Sequence, residues 1–286
     1  MMSDQAIRAL EPASLSPEEA GRAALRRRWS TLVGVLVHLI PFAITGIAYE
    51  LLEPLFLSRH GSIHIADLWE LEARCFSVLT AAGPRPLSEL ISQARSPWLD
   101  LLCGVTYLLF LVEILGVTVL LFFRDRRKAL VLSLGFLVTN LIGWVIWLLY
   151  PAAPPWYVDQ HGFALVGEVA ANPAGLARLD ALLGVPIAAH FYAKNADVFG
   201  AMPSLHVAYG VLTAWVAAPL GGGLRVFTMC FAAAIAFSAV YLRHHYILDV
   251  LAGVLLAIAV AIVLPALLRR TSALYALRGG PRRGRA

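Results

Sequence analysis

The sequence predicts an all-α, polytopic membrane protein built as a six-transmembrane-helix bundle. Hydrophobic residues make up 59% of the 286 positions and only 14% are charged, which is too apolar for an ordinary globular domain. The apolar residues also fall into six long runs, each near the roughly 20 residues that cross a bilayer. The runs are residues 31–52, 98–123, 129–150, 204–220, 224–242 and 247–268.

Residues 1–29 are expected to form a cytoplasmic tail with a short helix. Ser16 and Glu19 have the spacing of a capping box, with Pro17 at the first helical position. Three arginines and Trp29 then precede the first apolar run, which is typical of a cytoplasmic anchor. The tail lacks the long apolar core of a signal peptide, so the first span is expected to be uncleaved.

The positive charges indicate the orientation of the predicted bundle. Sixteen of the 23 lysines and arginines fall on the side of the N-terminus, and seven on the other side. The positive-inside rule therefore places both termini in the cytoplasm, with a catalytic membrane domain at 30–270 and a basic cytoplasmic tail at 271–286. The net charge of +5 is explained by this topology, and no nucleic-acid partner is expected.

Two predicted outer loops, 53–97 and 151–202, are longer than simple connections, and loops of this length are usually functional. In the first loop, apolar positions such as Leu68 alternate with Asp67, Glu70 and Arg74, which predicts a helix lying in the membrane interface. A lid packed on the ends of the spans explains the same pattern equally well. The second loop begins with prolines and contains a predicted short helix near 174–183.

Two histidine motifs open the fourth and sixth runs, both on the predicted outer side. In the Pro-Ser-Leu-His motif at 203–206, Ser204 and the free N–H groups of a first helical turn can hold an anion. In the second motif, Asp249 follows His245 by four residues, so its carboxylate can accept the imidazole N–H and fix the tautomer. Together with His206, these residues predict a phosphoryl-transfer site with a nucleophile and a proton donor.

Glu113 is predicted to lie near the middle of the bilayer, in the second run. A carboxylate at this depth is by default a functional candidate. A structural role is favoured here, as a hydrogen bond to Asn140 or to His38, because the two catalytic histidines lie at the rim of the membrane.

The two histidine motifs, together with Ser238, resemble the second and third motifs of the phosphatidic acid phosphatase type 2 (PAP2) superfamily. The Tyr-Pro-Ala-Ala-Pro-Pro-Trp-Tyr run at 150–157 and the paired histidines before Tyr246 resemble its inositol phosphotransferase branch. The resemblance implies that His245 attacks phosphorus to form a phosphohistidine, that Asp249 orients it, and that His206 protonates the leaving group. It implies no metal and no cofactor.

The chain departs from the family pattern where phosphate-binding cations are expected. Ala239 stands where the third motif usually has arginine, and no lysine or arginine occurs between 129 and 177. Arg243 and Lys194 are the predicted replacements. Two further features have simpler alternatives: His244 as an interfacial histidine, and the proline-tryptophan run as a helix stop with an aromatic belt. The predicted substrate-binding residues are Ser204, Lys194, Arg243, His244, Pro155, Trp156, Tyr157 and Ser238.

The leading interpretation is a membrane phosphotransferase that moves a phosphoryl group or a phospho-headgroup, such as inositol phosphate, from a lipid. A lipid phosphatase acting on a phosphatidate- or polyprenyl-type monoester is one alternative, and a non-catalytic scaffold or lipid carrier is the other. The expected partners are a lipid phosphate or phospholipid and the bilayer itself. Three cysteines provide neither a disulfide framework nor a thiolate metal site.

Overall fold

The computed structural model describes residues 17–57, 63–81, 83–167, 169–193 and 198–277. They are mostly helical, as predicted, apart from one short antiparallel hairpin in which Ser77 pairs with Pro86. The predicted tail helix is not a separate element, because the first helix continues from Pro17 into the membrane run. In chain order the elements are α1 (Pro17–Leu57), α2 (Ala66–Cys75), β1 (Ser77–Thr80), β2 (Gly83–Pro86), α3 (Leu87–Gln93), α4 (Pro97–Leu108), α5 (Phe110–Arg124), α6 (Arg126–Leu149), α7 (Pro155–His161), α8 (Ala177–Leu183), α9 (Ile187–Tyr192), α10 (Leu205–Ala217), α11 (Gly222–Tyr241) and α12 (Ile247–Leu277), with 3₁₀ turns at Ala174–Leu176 and Ala218–Leu220.

The described helices make the chain an integral, multi-pass membrane protein. The second predicted run is broken at Leu109, where α4 and α5 meet at a bend of 53°. No proline or glycine lies at this break, so the apolar run gives no sign of it. The fourth run forms a shorter apolar helix, Leu205–Leu220. Four described helices are long and apolar enough to cross a membrane: Gly21–Leu52, Arg126–Leu149, Gly222–Tyr241 and Ile247–Arg270. The bent pair of α4 and α5 would make a fifth span.

The helices that carry the histidine motifs are packed closely at their N-terminal ends. A β-carbon at Gly253 of α12 would lie 2.3 Å from the carbonyl oxygen of Ser204, so only glycine allows this approach. Gly143 of α6 similarly receives the side chain of Leu205, which a β-carbon would meet at 2.6 Å. The Ser204 N–H donates to the Asp249 carbonyl oxygen at 3.0 Å. These contacts place the start of α10 directly against the start of α12.

The first of the two long predicted loops packs on the bundle through α2. One face of this helix buries Leu68 and Glu72, while Glu70 and Arg74 on the other face form an exposed ion pair at 3.1 Å. The predicted amphipathic helix is therefore present, and its buried face agrees with the alternative of a lid on the span ends. Glu72 shows this most clearly, because its carboxylate accepts N–H groups from the first turn of α12.

The second long loop contains the helix predicted near 174–183, as a 3₁₀ turn followed by α8. Arg178 of α8 donates from Nε to Asp100 Oδ1 at 2.6 Å, and the Tyr241 hydroxyl donates to the same oxygen at 2.8 Å. The Gly175 N–H donates to the Leu242 carbonyl at 3.0 Å. The loop is thus anchored at the end of α11, next to the turn that carries the second histidine motif.

The predicted hydrogen bonds of Glu113 are wrong. Asn140 instead accepts the Tyr209 hydroxyl at 2.7 Å and donates to a carbonyl of its own helix. His38 contacts the carbonyl oxygens of Gly34 and Arg126. Asn140 therefore bonds to α10 and His38 to α6, and the carboxylate of Glu113 has no hydrogen-bond partner among the described residues. Glu113 itself is buried.

Candidate active site

The first predicted catalytic histidine lies in the first turn of α10. Ser204 is the N-cap of this helix, and its hydroxyl accepts the Val207 N–H at 3.5 Å. The first N–H groups of a helix have no intrahelical acceptor and favour negative charge. His206 is half-buried at this end and lines a large cavity.

The second predicted histidine lies in a tight turn between α11 and α12. Arg243 adopts a left-handed backbone conformation with φ of +64°, which is uncommon for a residue other than glycine. The N–H groups of His244 and His245 both donate to the Ala239 carbonyl oxygen at 3.1 Å. This turn places both histidine side chains on the same cavity as His206.

The rings of His206 and His245 are 6.2 Å apart, measured between centroids. His206 lies in α10 and His245 in the turn before α12, and the two rings were predicted to converge at one end of the bundle. A group held about 3 Å from a nitrogen of each ring needs a gap of roughly this size. The geometry can therefore place one small tetrahedral centre between the two imidazoles.

The tautomer of His245 is fixed by a carbonyl group, which differs from the expectation for Asp249. His245 Nδ1 lies 2.8 Å from the Ala201 carbonyl oxygen, which can only accept, so Nδ1 carries the proton. Nε2 is left with a lone pair. Asp249 Oδ2 is 3.8 Å from Nδ1 and accepts the Tyr246 N–H at 2.8 Å. The carboxylate is therefore close enough to stabilise charge on the ring, while the backbone at Ala201 orients it.

Tyr107 is a site residue that the sequence did not indicate. Its hydroxyl is 3.1 Å from His206 Nδ1, and its ring stacks on His206 at 4.4 Å and on His244 at 4.9 Å. The ring of Tyr192 also stacks on His244, at 4.9 Å between centroids. In the sequence, Tyr107 is one of many aromatic residues in an apolar run, and such residues usually serve packing. Its contact with the histidines is therefore visible only in the structure.

His244 lines the cavity with a buried imidazole ring. Its Nδ1 lies 3.5 Å from the Tyr192 hydroxyl, while Nε2 is buried without a hydrogen-bond partner among the described residues. Burial lowers the pKa of His244 well below its usual value, and the neighbouring His245 and His206 lower it further. His244 is therefore neutral at pH 7.

Arg243, predicted to bind phosphate, is held by Asp159 of α7. Its Nε and Nη2 donate to the two carboxylate oxygens at 2.8 and 2.5 Å. Its third nitrogen, Nη1, is buried and has no partner in the described part of the chain. Arg243 is not among the residues that line the cavity. One nitrogen of the guanidinium therefore remains unused.

The structure separates the other predicted substrate-binding residues. Trp156 lines the cavity, and its backbone N–H donates to the Arg243 carbonyl oxygen at 3.0 Å. Pro155 and Tyr157 are buried outside the cavity lining, and the Tyr157 hydroxyl donates to a carbonyl of the following loop. Ser238 donates to the Ala234 carbonyl of α11. Lys194 lies outside the described residues, as does the segment 194–197 that contains it.

The cavity has a volume of about 1120 Å³. From the histidines it extends between α1, α5, α6 and α10 along an apolar wall. The lining also includes polar residues from the loop at 151–202, Asn172 and His190 among them. No lysine or arginine is among its described lining residues. The apolar side chains of the wall include Phe42, Phe110, Leu115, Phe136 and Trp144.

Comparisons with known proteins agree with the architecture of the site. A model of the PAP2 superfamily matches residues 75–263. The chain is 37% identical to a phosphoinositol dihydroceramide synthase of Bacteroides thetaiotaomicron, over 76% of this chain and 72% of that protein. It is 31% identical to the inositol phosphorylceramide synthase catalytic subunit of Schizosaccharomyces pombe and 28% identical to that of Saccharomyces cerevisiae, over 60% of this chain but only 42% and 43% of the fungal proteins. No solved structure matches the chain.

Proposed function

The chain belongs to the PAP2 superfamily, in its inositol phosphotransferase branch, and from this premise we propose that it transfers phosphoinositol from a phospholipid to a ceramide-type alcohol. The observation that carries this proposal is the approach of His206 and His245 to 6.2 Å on a cavity with one apolar arm. The similarity to the Bacteroides synthase supports the choice of headgroup and acceptor.

In the proposed first step, the lone pair of His245 Nε2 attacks the phosphorus of the donor phosphodiester. The bond from phosphorus to the glycerol oxygen breaks, and His206 supplies a proton to that oxygen. Two features support these roles: the Ala201 carbonyl keeps the proton on Nδ1, and Asp249 lies 3.8 Å from the ring on which positive charge develops. A positioned general acid is worth about 10² to 10⁴ in rate.

In the second step, the acceptor hydroxyl attacks the phosphohistidine. His206, now unprotonated, removes the hydroxyl proton as the new phosphorus–oxygen bond forms and His245 leaves. The apolar arm of the cavity supports a lipid alcohol as the acceptor, because a long chain can lie along Phe42, Phe136 and Trp144 while its hydroxyl reaches the histidines. Water needs no such arm.

The inositol ring is proposed to lie at the polar end of the cavity. His244 Nε2 is buried and unpaired there, and Asn172 and His190 line the same region. A polyol offers many hydroxyl groups to such donors and acceptors. Trp156 lines the cavity and is proposed to pack against the headgroup, which extends the role predicted from its sequence motif.

The phosphate charge is proposed to be met by Lys194 and Arg243, together with the helix terminus at Ser204. Tyr192 and Val198, which flank the segment containing Lys194, both line the cavity. Arg243 has one unpaired nitrogen, Nη1. Ser204 is fully buried at the start of α10, where the backbone N–H groups favour an anion. Pro155, Tyr157 and Ser238 are proposed to shape the site from behind.

The proposed topology has six spans with both termini in the cytoplasm and the active site at the outer face. The bent pair α4 and α5 serves as the second span, and Leu205–Leu220 as the fourth. Support comes from the distribution of lysine and arginine along the sequence. The domain limits are proposed as 1–29 for the tail, 30–270 for the membrane domain and 271–286 for the second tail, with α2 at the interface.

A lipid-transfer assay tests this function. Purified protein in lipid vesicles is given an inositol phospholipid with ceramide, or phosphatidate alone, and products are identified by mass spectrometry. The expected result is inositol phosphorylceramide together with diacylglycerol, lost in His245→Ala and kept in the matched variant His161→Ala, whose ring lies outside the cavity lining. Release of phosphate from phosphatidate, without a ceramide product, would instead show a phosphatase.

A further inference from the structure

A second cavity lies at the end of the bundle opposite to the catalytic histidines. It is a groove of about 550 Å³ between α1 and α5. We term it the arginine slot; Arg27 and Arg28 line it together with Thr31, Val35, Val119 and Phe123. The two ends of α6 establish its position. The C-terminal half of α6 meets the first histidine motif through Trp147 and Pro203, whereas its first residues lie beside α1, where the Arg126 carbonyl contacts His38.

The charges at the slot lack a counterion within the described protein. The side chains of Arg27 and Arg28 make no ion pair there, and both residues are exposed. Glu18 is paired with Arg22 one turn from the start of α1. Asp125 caps α6 by accepting the N–H groups of its first turn. Further exposed or half-buried cations occupy the same end of the bundle: Arg26, Arg124, Arg126, Arg127 and Lys128.

The walls of the slot are apolar and open toward the position of the lipid. Phe123 is 65% exposed and Leu32, which also lines the slot, is 49% exposed. A soluble anion would pair with the arginines at the entrance but would make no contact with the apolar walls. A phospholipid offers both a charged headgroup for the arginines and an acyl chain for the walls. Basic pockets between transmembrane helices at the cytoplasmic surface are suited to anionic headgroups.

We propose that the arginine slot binds one anionic phospholipid of the bilayer. Its headgroup phosphate lies between Arg27 and Arg28, and one acyl chain lies between Val35 of α1 and Val119 of α5. This inference does not depend on the chemistry at His206, and with the N-terminus in the cytoplasm the bound lipid belongs to the inner leaflet. It would fasten α1 to α5, the helix whose start carries Phe110 against the histidine site.

Native mass spectrometry of the full-length protein tests the proposal, with phosphatidylglycerol and phosphatidylcholine of identical chains as probes. The wild type is expected to retain one phosphatidylglycerol in preference to phosphatidylcholine. The Arg27→Gln, Arg28→Gln double variant is expected to weaken this binding about 30-fold, from the attraction that two arginines contribute near a membrane surface. A matched double variant, Arg26→Gln with Arg127→Gln, removes the same charge outside the slot and is expected to keep it.

A second variant tests the acyl part of the slot without changing charge. Val119→Trp fills the groove from the α5 side, and binding of phosphatidylglycerol is expected to fall by at least tenfold, equivalent to nearly two lost buried methylenes. Equal losses in the two double variants would show only diffuse surface attraction and overturn the proposal. Unchanged binding in Val119→Trp would overturn it as well, because the chain would then lie elsewhere.

Discussion

Removing the carboxylate of Glu72 is expected to destabilise the first turn of α12, which lies 175 residues later in the chain. Glu72 is fully buried, and its oxygens accept the N–H groups of Ile247 and Leu248 at 3.2 Å each. Burial raises the pKa of Glu72, while these two hydrogen bonds lower it. In Glu72→Ala both N–H groups lose their acceptor, at about 1–3 kcal/mol each, or roughly 2–6 kcal/mol in total. Glu72→Gln keeps one acceptor oxygen and is expected to lose about half as much.

The assay is thermal unfolding of the purified protein in detergent, combined with transfer kinetics. At about 2–4 °C per kcal/mol for a chain of this size, Glu72→Ala is expected to melt at least about 4 °C lower. Glu70→Ala is the matched control, since Glu70 is on the exposed face of the same helix in an ion pair worth at most about 1 kcal/mol. Because α12 begins two residues after His245, kcat is expected to fall more than KM rises. Equal melting of the Glu70 and Glu72 variants would refute the capping role.

Three further substitutions test the site. Tyr107→Phe removes the hydroxyl beside His206 Nδ1 and is expected to lower kcat about fivefold, the equivalent of about 1 kcal/mol for a neutral hydrogen bond, with KM unchanged. Asp159→Asn leaves the guanidinium of Arg243 without its carboxylate and is expected to lower the melting midpoint by about 2–4 °C for each kcal/mol lost, which unfolding curves would measure. The lowered pKa of His244 means that the unfolded chain binds the proton more tightly, so stability falls as pH drops through the model-peptide value of 6.5. Melting of wild type and His244→Asn at about pH 7.5 and 5.5 should show a smaller loss in the variant, and equal losses would contradict it.

Much of the fold was predictable because apolar runs and charged ends respond directly to the bilayer. The helical class, the placement of most runs and the helix near 174–183 all follow from these signals. The bend at Leu109 does not, since no proline or glycine marks it. The pairing of Asn140 with Tyr209 was also missed. Both features depend on the rotation and packing of each helix relative to its neighbours. An apolar run does not specify these, because all faces of the helix are similarly hydrophobic.

At the site, residue spacing predicted which histidines would meet but not what would orient them. The distance of four residues between His245 and Asp249 indicated a direct hydrogen bond. The structure places the Ala201 carbonyl nearer, at 2.8 Å against 3.8 Å. A backbone carbonyl carries no sequence signal, because every residue has one. The role of Glu72 was not predicted for a related reason. It depends on a contact with residues far away in the chain, whereas the local sequence indicates only an amphipathic helix.

The missing arginine at position 239 has a physical explanation in the turn that follows it. Ala239 is fully buried in α11, and its carbonyl oxygen receives the N–H groups of both His244 and His245. A long charged side chain at this buried position would need its own partner, which is costly to provide away from water. Arg243, four residues later, carries the charge at the left-handed residue of the turn, where Asp159 offsets it. Arg243 therefore puts a guanidinium next to the paired histidines in the chain, and we propose that it takes the role expected of an arginine at position 239.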